Sequence, residues 1–595
     1  MIVYGDPQFE AGSSELLEQL RERAFAASAE DLDQLRSLLI RAGELEQALE
    51  DAGAEQAATC ARKITDSAAA AFHDVWAQCQ LNRSIPRLDV RANLNELRNF
   101  LSNTFDFPSQ VTVKIPEGFA FYALYPEQYC EAALAWSDCN GKDSNDRKVL
   151  VVGIRSIGTT LSALVSATLA VAGWQTKRIS VRPTGPPFER ATSLPEHVRG
   201  SAARALVVDE GPGISGSSMA SVAEALVQQG FAPEQISFLP GHSGEPGTAA
   251  SSEVQDWWRR ARRYVASWNE LRWNGMTLAE SVKTKSAEIA GGRTNFSKVE
   301  DLSCGRWREK IFAERSAWPW APISFERMKF LCTNEDGCSI LWKFSGLREC
   351  QTPKEAKVTT EGTVPPLALF RGFIALPWIE GEPLSIDDGK KPDVVRQIAR
   401  YIKAASKTPL TASEQAGAFE RIHEMLYWNT KEALGADFAE RVNGFAKTIR
   451  IDESGPAYGD GRLAPHEWMR TREGKIVKLD SFGHDADHTM VGPQPIYWDV
   501  AGAIVEWQLP SAQPLLSELE QAGIFLRPEV LSFYQMAYAA FRMGQSALCV
   551  DAWAFDEVEV ERTREAFERY RQQLRDCLES ADIRYSSQAL LTQNR

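Results

Sequence analysis

The chain has a shortage of basic residues. Its 595 residues include 80 Asp and Glu against 66 Lys and Arg, which gives a net charge of −14. Nucleic-acid phosphates favour basic surfaces, so this balance argues against a nucleic-acid partner. The chain also has only seven His, and its ten Cys form no CxxC pair. That pattern predicts reduced thiols and neither a zinc site nor a disulfide framework.

Long apolar runs and internal repeats are also missing. The longest apolar stretch, Leu161 to Trp174, contains Ser and Thr and is too short to cross a bilayer. The first residues lack the charged segment and apolar core of a signal peptide. We therefore expect no membrane partner and a cytoplasmic location. The length and the 44% hydrophobic content are sufficient for several cores and suggest three or four domains.

One segment combines a short apolar strand, two carboxylates and a Gly/Ser loop. Leu206 to Val208 predicts a buried parallel strand, which places Asp209 and Glu210 at its carboxyl end, where open α/β sheets bind ligands. Glycines allow a tight turn with inward amides, and serines add hydroxyls at the start of the next helix. These loop residues are Gly211, Gly213, Ser215, Gly216, Ser217 and Ser218. The loop suits a ligand with a diol and a phosphate, although a capped strand-to-helix connection is the alternative interpretation.

A second strand and loop lie upstream in Val149 to Leu169. Here a buried strand precedes Arg155, Ser156, Ile157 and Gly158, and a long apolar helix follows. The two segments together resemble the pyrophosphate loop and the ribose-5-phosphate signature of type I phosphoribosyltransferases. The resemblance covers about 108–241 and implies the parallel α/β sheet of that family.

The resemblance also implies a role for each loop in binding phosphoribosyl pyrophosphate (PRPP). Asp209 and Glu210 would hold the ribose hydroxyls as catalytic residues, and Ser215 to Ser218 would hold the 5-phosphate. Arg155 to Gly158 would bind the pyrophosphate with Mg²⁺. Pro212 makes the loop after Glu210 one residue longer than usual, so its register is open by one position. The stretch 178–200 is either a hood over the reacting sugar or a solvated surface loop.

The C-terminal half carries a second set of motifs. Two β-rich runs flank the turn Asn334 to Gly337 and predict a hairpin that ends near Lys343. A Glu380-Gly381 turn, Asp460 after a glycine, Asp480 after a short strand and Asp499 in a helix follow in that order. This order resembles the aminoglycoside phosphotransferase branch of the kinase-like fold over about 323–551. The resemblance implies that Lys343 binds ATP, Asp460 is the base, Asp480 binds Mg²⁺ and Asp499 is structural.

The chain departs from that family at several positions. Tyr458 and Pro465 stand where the family has His and Asn, and no glycine-rich loop precedes Lys343. Glu467 could replace the missing Asn as a Mg²⁺ ligand. These departures favour a repurposed kinase-like domain over an active kinase. A cluster of histidines and aspartates could hold a transition metal, but turn capping and contact with solvent are favoured; it comprises His466, Asp480, His484, Asp485, Asp487 and His488.

The sequence as a whole predicts a multidomain α/β protein. The expected units are a helical region over 1–100, a phosphoribosyltransferase-like domain over 101–250, a helical linker over 251–320 and a kinase-like α+β domain over 321–595. The predicted reaction is transfer of a phosphoribosyl group from PRPP to a small nucleobase-like metabolite, which the kinase-like domain could also phosphorylate. The alternatives are a regulatory protein that senses PRPP or nucleotides, and a small-molecule kinase with a vestigial transferase domain. Mg²⁺ and PRPP are the expected cofactor and donor, with ATP as a further candidate, and the oligomeric state is left open.

Overall fold

The computed structural model describes residues 1–3, 8–80, 90–141, 146–292, 295–348, 362–450, 455–481 and 492–593. Helices fill most of the first 101 residues: α1 Ser13–Ala26, α2 Leu32–Asp51, α3 Glu55–Gln78 and α4 Val90–Leu101. Asp31 fixes the start of α2, because its carboxylate accepts hydrogen bonds from the backbone N–H groups of Asp33 and Gln34, both at 3.0 Å. A two-stranded antiparallel ribbon of β1 Gln8–Gly12 and β2 Gln110–Lys114 accompanies the helices.

A five-stranded parallel sheet follows, as the sequence predicts. Its elements are α5 Glu117–Ala120, α6 Pro126–Asn140, β3 Lys148–Ile154, α7 Ile157–Val171, β4 Gln175–Val181, β5 Arg204–Val208, α8 Ser217–Gln228, β6 Ile236–Leu239, α9 Ser252–Arg260 and β7 Arg262–Arg263. The strand order is β4-β3-β5-β6-β7, with every pair parallel. The order therefore reverses between β3 and β5, and such a switch point is where open α/β sheets form ligand sites.

Both faces of this sheet are covered, because alternate residues of its strands point to opposite sides. In β3, Val149 and Val151 join a core with α7 and the N-terminal helices. Leu150 and Val152 join a second core with α8 and α9. The near-continuous apolar run of β3 is thus explained by burial on two sides.

The chain then builds an antiparallel sheet. Two helices precede or accompany it, α10 Leu278–Ile289 and α11 Arg308–Ile311. The strands are β8 Phe296–Asp301, β9 Lys329–Asn334, β10 Ser339–Phe344, β11 Ala368–Phe370 and β12 Phe373–Pro377, in the order β11-β12-β10-β9-β8. β9 and β10 form the predicted hairpin, with Ser339 opposite Thr333. The predicted helical linker over 251–320 also contains two strands. Of these, β7 extends the parallel sheet and β8 extends the antiparallel one.

The remaining chain is mainly helical. A small antiparallel sheet of β13 Gly381–Pro383, β14 Trp468–Thr471 and β15 Ile476–Lys478 lies among the helices. The helices are α12 Pro392–Ala405, α13 Ala412–Leu434, α14 Ala436–Ala446, α15 Tyr497–Glu506, α16 Gln513–Gln521, α17 Pro528–Cys549 and α18 Glu557–Gln593. Over the described ranges, every helix is either too short or too polar to span a bilayer.

The hydrophobic core crosses the predicted domain boundaries. One cluster of buried residues runs from Leu16 through the parallel sheet to Trp342 and Ala375 of the antiparallel sheet. Another contains the C-terminal helices, with Trp498 and Phe541 among its fully buried residues. The antiparallel sheet therefore packs on the N-terminal half of the chain.

Candidate functional site

The two predicted PRPP loops lie side by side at the switch point. Gly153 of β3 pairs with Val208 of β5, so the loops leave adjacent strand ends. A Cβ atom on Gly158 would lie 2.6 Å from the Val208 carbonyl oxygen, so only glycine permits this close approach. The first loop holds Arg155, Ser156, Ile157 and Gly158, and the second holds Asp209, Glu210, Gly211, Gly213, Ser215, Gly216, Ser217 and Ser218. The structure thus brings both groups to one edge of the sheet.

The paired carboxylates are held by backbone contacts. The N–H of Gly118 donates to Glu210 Oε2 at 3.0 Å, and the hydroxyl of Tyr129 donates to the Asp209 carbonyl oxygen at 2.6 Å. Burial raises the pKa of Asp209 to about 7. Burial, followed by the charges of Glu117 and Asp209, raises the pKa of Glu210 well above its ordinary value. Desolvated carboxyl groups of this kind are typical of functional sites and would accept hydrogen bonds from a diol.

The start of α8 has the geometry of an anion site. Gly216 precedes the helix with φ +63°, and a Cβ there would meet Pro246, Trp258 and Val254. Its N-cap is a glycine and supplies no side chain, and the first backbone N–H of α8, that of Ser217, donates to Ser215 Oγ at 3.4 Å. Ser215 Oγ lies 3.0 Å from Ser217 Oγ.

The stretch predicted as a hood lies against the start of α8. The hydroxyl of Ser217 donates to the carbonyl of Pro187, and Thr192 Oγ1 lies 2.8 Å from Ser221 Oγ. The first residue of the stretch, Arg178, belongs instead to β4 and forms a buried ion pair with Glu46 at 2.8 Å.

Arg155 is engaged by the N-terminal helices. Its Nη1 donates to Asp51 Oδ1 at 2.9 Å, and its Nε donates to Ser180 Oγ at 3.2 Å. The Nε of Arg182 also donates to Asp51 Oδ1 at 2.9 Å. Burial opposes ionisation of Asp51, but hydrogen bonds from Arg182 and Arg155 lower its pKa below the ordinary value. Asp51, at the end of α2, therefore pairs with Arg155, which the sequence predicts for a pyrophosphate, and also with Arg182.

A second candidate site is a cleft in the C-terminal half. It has a volume of about 1160 Å³, part of it open to solvent, and lies between the antiparallel sheet and the strands β14 and β15. Its apolar walls would suit a planar base; they include Leu341, Val364, Leu376, Met469 and Leu479. The connection between β8 and β9 adds an aromatic wall through Trp307, Trp320 and Phe325.

Lys343 and Asp480 form an ion pair in this cleft. Lys343 projects from β10 and is buried, whereas Asp480 follows β15 and is partly exposed. Burial lowers the pKa of Lys343 to about 8, and the charge of Asp480 opposes that shift. The structure thus brings together the residues predicted to bind ATP and metal.

Asp460 and Glu467 both contact another lysine, Lys478. Lys478 Nζ lies 3.0 Å from Asp460 Oδ2 and 3.1 Å from Glu467 Oε2. Glu467 lines the cleft, whereas Asp460 is 2% exposed, is absent from the cleft lining over the described residues, and accepts a hydrogen bond from Tyr401. The predicted base is therefore set back from the cleft.

Asp499 fixes the backbone around Asp460. Its carboxylate accepts hydrogen bonds from the N–H groups of Gly459 at 2.8 Å, Asp460 at 3.3 Å and Gly461 at 2.7 Å. Burial, and then the charge of Asp460, raises the pKa of Asp499 to about 6. These contacts are what a structural acid requires.

The residues of the cleft do not fit a Mg²⁺ ion held by the protein. Mg²⁺ needs oxygen ligands in a near-octahedral shell. The carboxylates of Asp480 and Glu467 instead contact the ammonium groups of Lys343 and Lys478. Over the described ranges, no three His, Cys, Asp or Glu side chains are grouped to hold a metal. The predicted cluster of His484, Asp485, Asp487 and His488 lies outside the described residues.

Sequence reasoning did not identify Asp51, Lys478 or the aromatic wall. The sequence did contain a signal for Lys478. It stands two residues before Asp480, and strand residues two apart lie on the same face of a sheet. Trp307 donates its Nε1 proton to Glu326 at 2.5 Å and stacks on His466 with 5.5 Å between ring centroids. Asp51 and Trp307 reach their partners only through the tertiary fold.

Comparison with known proteins gives a likeness of fold over about half of the chain. No family model matches it, and no curated protein matches it. Choline kinase LicA from Streptococcus pneumoniae is 14% identical, with a TM-score of 0.32, and the match covers 49% of this chain and 97% of that one. A choline kinase from Cryptosporidium parvum is 13% identical, with a TM-score of 0.33 and coverage of 51% and 99%. Spectinomycin phosphotransferase APH(9)-Ia is 13% identical, with a TM-score of 0.30 and coverage of 50% and 97%.

By their names, the three neighbours are two choline kinases and an antibiotic phosphotransferase. They give no support to phosphoribosyl transfer. All three TM-scores are below 0.5, so the roles assigned below are taken from contacts within this chain.

Proposed function

We propose that the C-terminal cleft binds a nucleoside triphosphate, with ATP as the first candidate, and that the chain is a small-molecule phosphotransferase. The observation that carries this proposal is the Lys343–Asp480 ion pair inside a large, mainly apolar cleft. In kinase-like sites a strand lysine contacts the nucleotide phosphates and a later aspartate lies opposite it. The base would lie against the apolar walls and the phosphates near Lys343.

A neighbouring cavity supplies space for an acceptor. It has a volume of about 710 Å³ and shares Trp320 and His466 with the cleft. Arg542, Arg569, Tyr570 and Glu506 line its far side. Glu506 pairs with Arg542 at 2.7 Å and accepts a hydrogen bond from the Tyr570 hydroxyl at 2.9 Å. Because the arginines outnumber this carboxylate, the cavity favours an acceptor that carries an anionic or hydroxyl group.

Isothermal titration of the full chain with ATP tests this proposal. Lys343→Met should weaken ATP binding at least tenfold, because it removes the ammonium group that faces the phosphates. Lys390→Met is the control, since Lys390 is 63% exposed and pairs with Asp387, which is also exposed. Absence of ATP binding by the unaltered chain would exclude the proposal.

A second candidate function is PRPP binding at the switch point of the parallel sheet. The specific observation is that the loops after β3 and β5 leave neighbouring strands. The loop after β5 has two carboxylates at its start and a glycine-capped helix at its end. PRPP carries the diol, phosphate and pyrophosphate that this arrangement suits, and a phosphoribosyl transferase reaction would follow from it. It would act on a small nucleobase-like acceptor.

PRPP binding is tested by the double change Asp209→Asn, Glu210→Gln. Each lost charged hydrogen bond to the ribose should cost about 1.5–3 kcal/mol, so titration should detect no PRPP binding by a variant that remains folded. Exposed Glu224→Gln, on α8, is the control. Equal PRPP affinity of the double variant and the unaltered chain would contradict this function.

A further inference from the structure

Lys478 is a fully buried ammonium group among the predicted catalytic carboxylates. It projects from β15 with 0% of its side chain exposed. It contacts Asp460 at 3.0 Å and Glu467 at 3.1 Å, and it donates to the carbonyl oxygen of Asp480. The ring of Tyr401 lies 5.7 Å from its Nζ. Every partner of Lys478 in these contacts is an oxygen or an aromatic face.

A second ammonium group contacts the same segment. Lys343, on the antiparallel sheet, pairs with the carboxylate of Asp480, whose carbonyl oxygen contacts Lys478. The three carboxylates predicted to serve as base and metal ligands are thus each in contact with a lysine of the chain. A divalent cation at Glu467 would compete with Lys478 for that carboxylate, and displacement would leave the buried ammonium group with Asp460 in place of its two carboxylate partners.

The charges that line the cleft also favour an anion without a metal. Three carboxylates line it, Glu326, Glu467 and Asp480; Glu326 pairs with Lys329 at 3.3 Å, and Asp480 pairs with Lys343. Four cations line it, one more than the carboxylates: Arg327, Lys329, Lys343 and Arg462. Lys478 adds a further positive charge directly behind this surface, where the buried carboxylate of Asp460 lies 3.0 Å from it. Lysine ammonium groups act on phosphates as point charges, as a bound cation does.

We propose that Lys478 is a positioning residue that takes the place of a protein-held divalent cation. Nucleotide phosphates then bind against Lys343 and the other cations of the cleft, and their binding does not require Mg²⁺ at Asp480 and Glu467. This inference rests on the proposed nucleotide binding and concerns only how the same cleft balances the phosphate charge.

The experiment is titration of the full chain with ATP, once with Mg²⁺ and once with EDTA. For the unaltered chain we expect the two dissociation constants to agree within about threefold. In Lys478→Met the charge is lost, so binding in EDTA should fall at least tenfold, and Mg²⁺ should restore part of it. Lys475→Met, an exposed lysine beside the same strand, should behave like the unaltered chain.

A conservative variant separates charge from folding. Lys478→Met leaves Asp460 and Glu467 without their cation and could fail to fold, whereas Lys478→Arg keeps the positive charge. Lys478→Arg should retain ATP binding in EDTA within about threefold of the unaltered chain. A purely structural lysine would change stability in these variants without changing the ratio of the two dissociation constants.

The outcomes are distinguishable. ATP binding by the unaltered chain only in the presence of Mg²⁺ would overturn the role of Lys478 and leave the proposed function intact. Equal binding by folded Lys478→Met in both conditions would also overturn that role. No binding in either condition would overturn the inference and the proposed function together.

Discussion

Asp209 illustrates how a desolvated carboxylate can lower the stability of the protein that carries it. Its side chain lies at the end of β5 near Glu210, and its pKa rises from an ordinary value of 3.8 to about 7 because of burial. Asp499 is also buried, but it accepts three backbone hydrogen bonds and fixes a loop. Asp499 therefore stabilises local structure, whereas the desolvation of Asp209 opposes the charged form of its carboxyl group.

The stability of the chain should depend on pH through Asp209. The folded state binds the proton more tightly than the unfolded state, so Asp209 lowers stability progressively as pH rises from about 4 to about 7. Above pH 7 the ionised Asp209 lowers the free energy of unfolding by its full amount. Asp209→Asn should therefore raise the stability at pH 8 by roughly 1–2 kcal/mol, after allowance for partial exposure, with little change near pH 4.

Thermal unfolding of both proteins at the two pH values measures this difference. Asp387→Asn, at an aspartate that is 84% exposed, should show no such dependence. A stability change of equal size at both pH values would show that the charge of Asp209 is not its cause.

At the scale of elements, α2 joins the N-terminal helices to the parallel sheet through buried charges. Arg36 contacts Glu127 of α6, and both side chains are almost fully buried. Asp51 ends the same helix and contacts Arg155 and Arg182. Buried ion pairs specify how two elements meet, because the loss of one partner leaves a buried charge.

Loss of Arg36 should be strongly destabilising. Arg36→Met leaves the carboxylate of Glu127 buried with Trp273 Nε1 as its remaining donor at 3.1 Å, so we expect a loss of about 3–5 kcal/mol. Arg259→Met changes a 69% exposed arginine on α9 and should cost less than about 0.5 kcal/mol. Denaturant unfolding of the two variants provides the comparison, and equal midpoints would contradict the prediction.

Release of Arg155 by a change in α2 should alter anion binding. Asp51→Asn removes the nearer of two carboxylates that pair with Arg155, at 2.9 Å, and leaves Glu50 at 3.7 Å. Pyrophosphate should therefore bind about threefold to tenfold more tightly, while ribose-5-phosphate should bind unchanged. Asp66→Asn is the matched control, because Asp66 pairs with Arg178 and not with Arg155. Titration with each ligand measures the effect, and weaker pyrophosphate binding by Asp51→Asn would show that Arg155 does not face this ligand.

At the scale of the whole molecule, the parallel sheet and the antiparallel sheet that forms one wall of the cleft share one core. The N–H of Leu347 donates to the Phe119 carbonyl at 2.8 Å, and the Tyr125 hydroxyl donates to the Arg371 carbonyl at 2.7 Å. These bonds link the antiparallel sheet to the segment beside the parallel sheet. The packing therefore fixes the cleft and the switch point relative to each other.

β8 joins the antiparallel sheet to the core that it shares with the parallel sheet. It pairs with β9, and its residue Phe296 is completely buried in that core. Phe296→Ala in the full chain should therefore lower the stability by about 3–5 kcal/mol. Circular dichroism during heating measures the unfolding midpoint, and an unchanged midpoint would show that this contact contributes nothing to stability.

The sequence by itself determined the local structure around both sites. The apolar run before Asp209 predicts a parallel strand, and the turn Asn334 to Gly337 predicts the hairpin that carries Lys343; the structure contains both. Such features depend on residue types within a few positions of each other, because strand burial and turn geometry are local preferences. The phosphoribosyltransferase roles of the loop residues stay predictions.

Only the tertiary structure decided which charges meet. Asp51 and Arg155 are 104 residues apart, and Lys343 and Asp480 are 137 residues apart, so no local pattern pairs them. The assignment of Lys478 to Asp460 and Glu467 likewise required the fold, although its spacing from Asp480 was visible in the chain. Long-range ion pairs form where packing buries opposite charges together, and that arrangement depends on the strand order and helix contacts of the whole molecule.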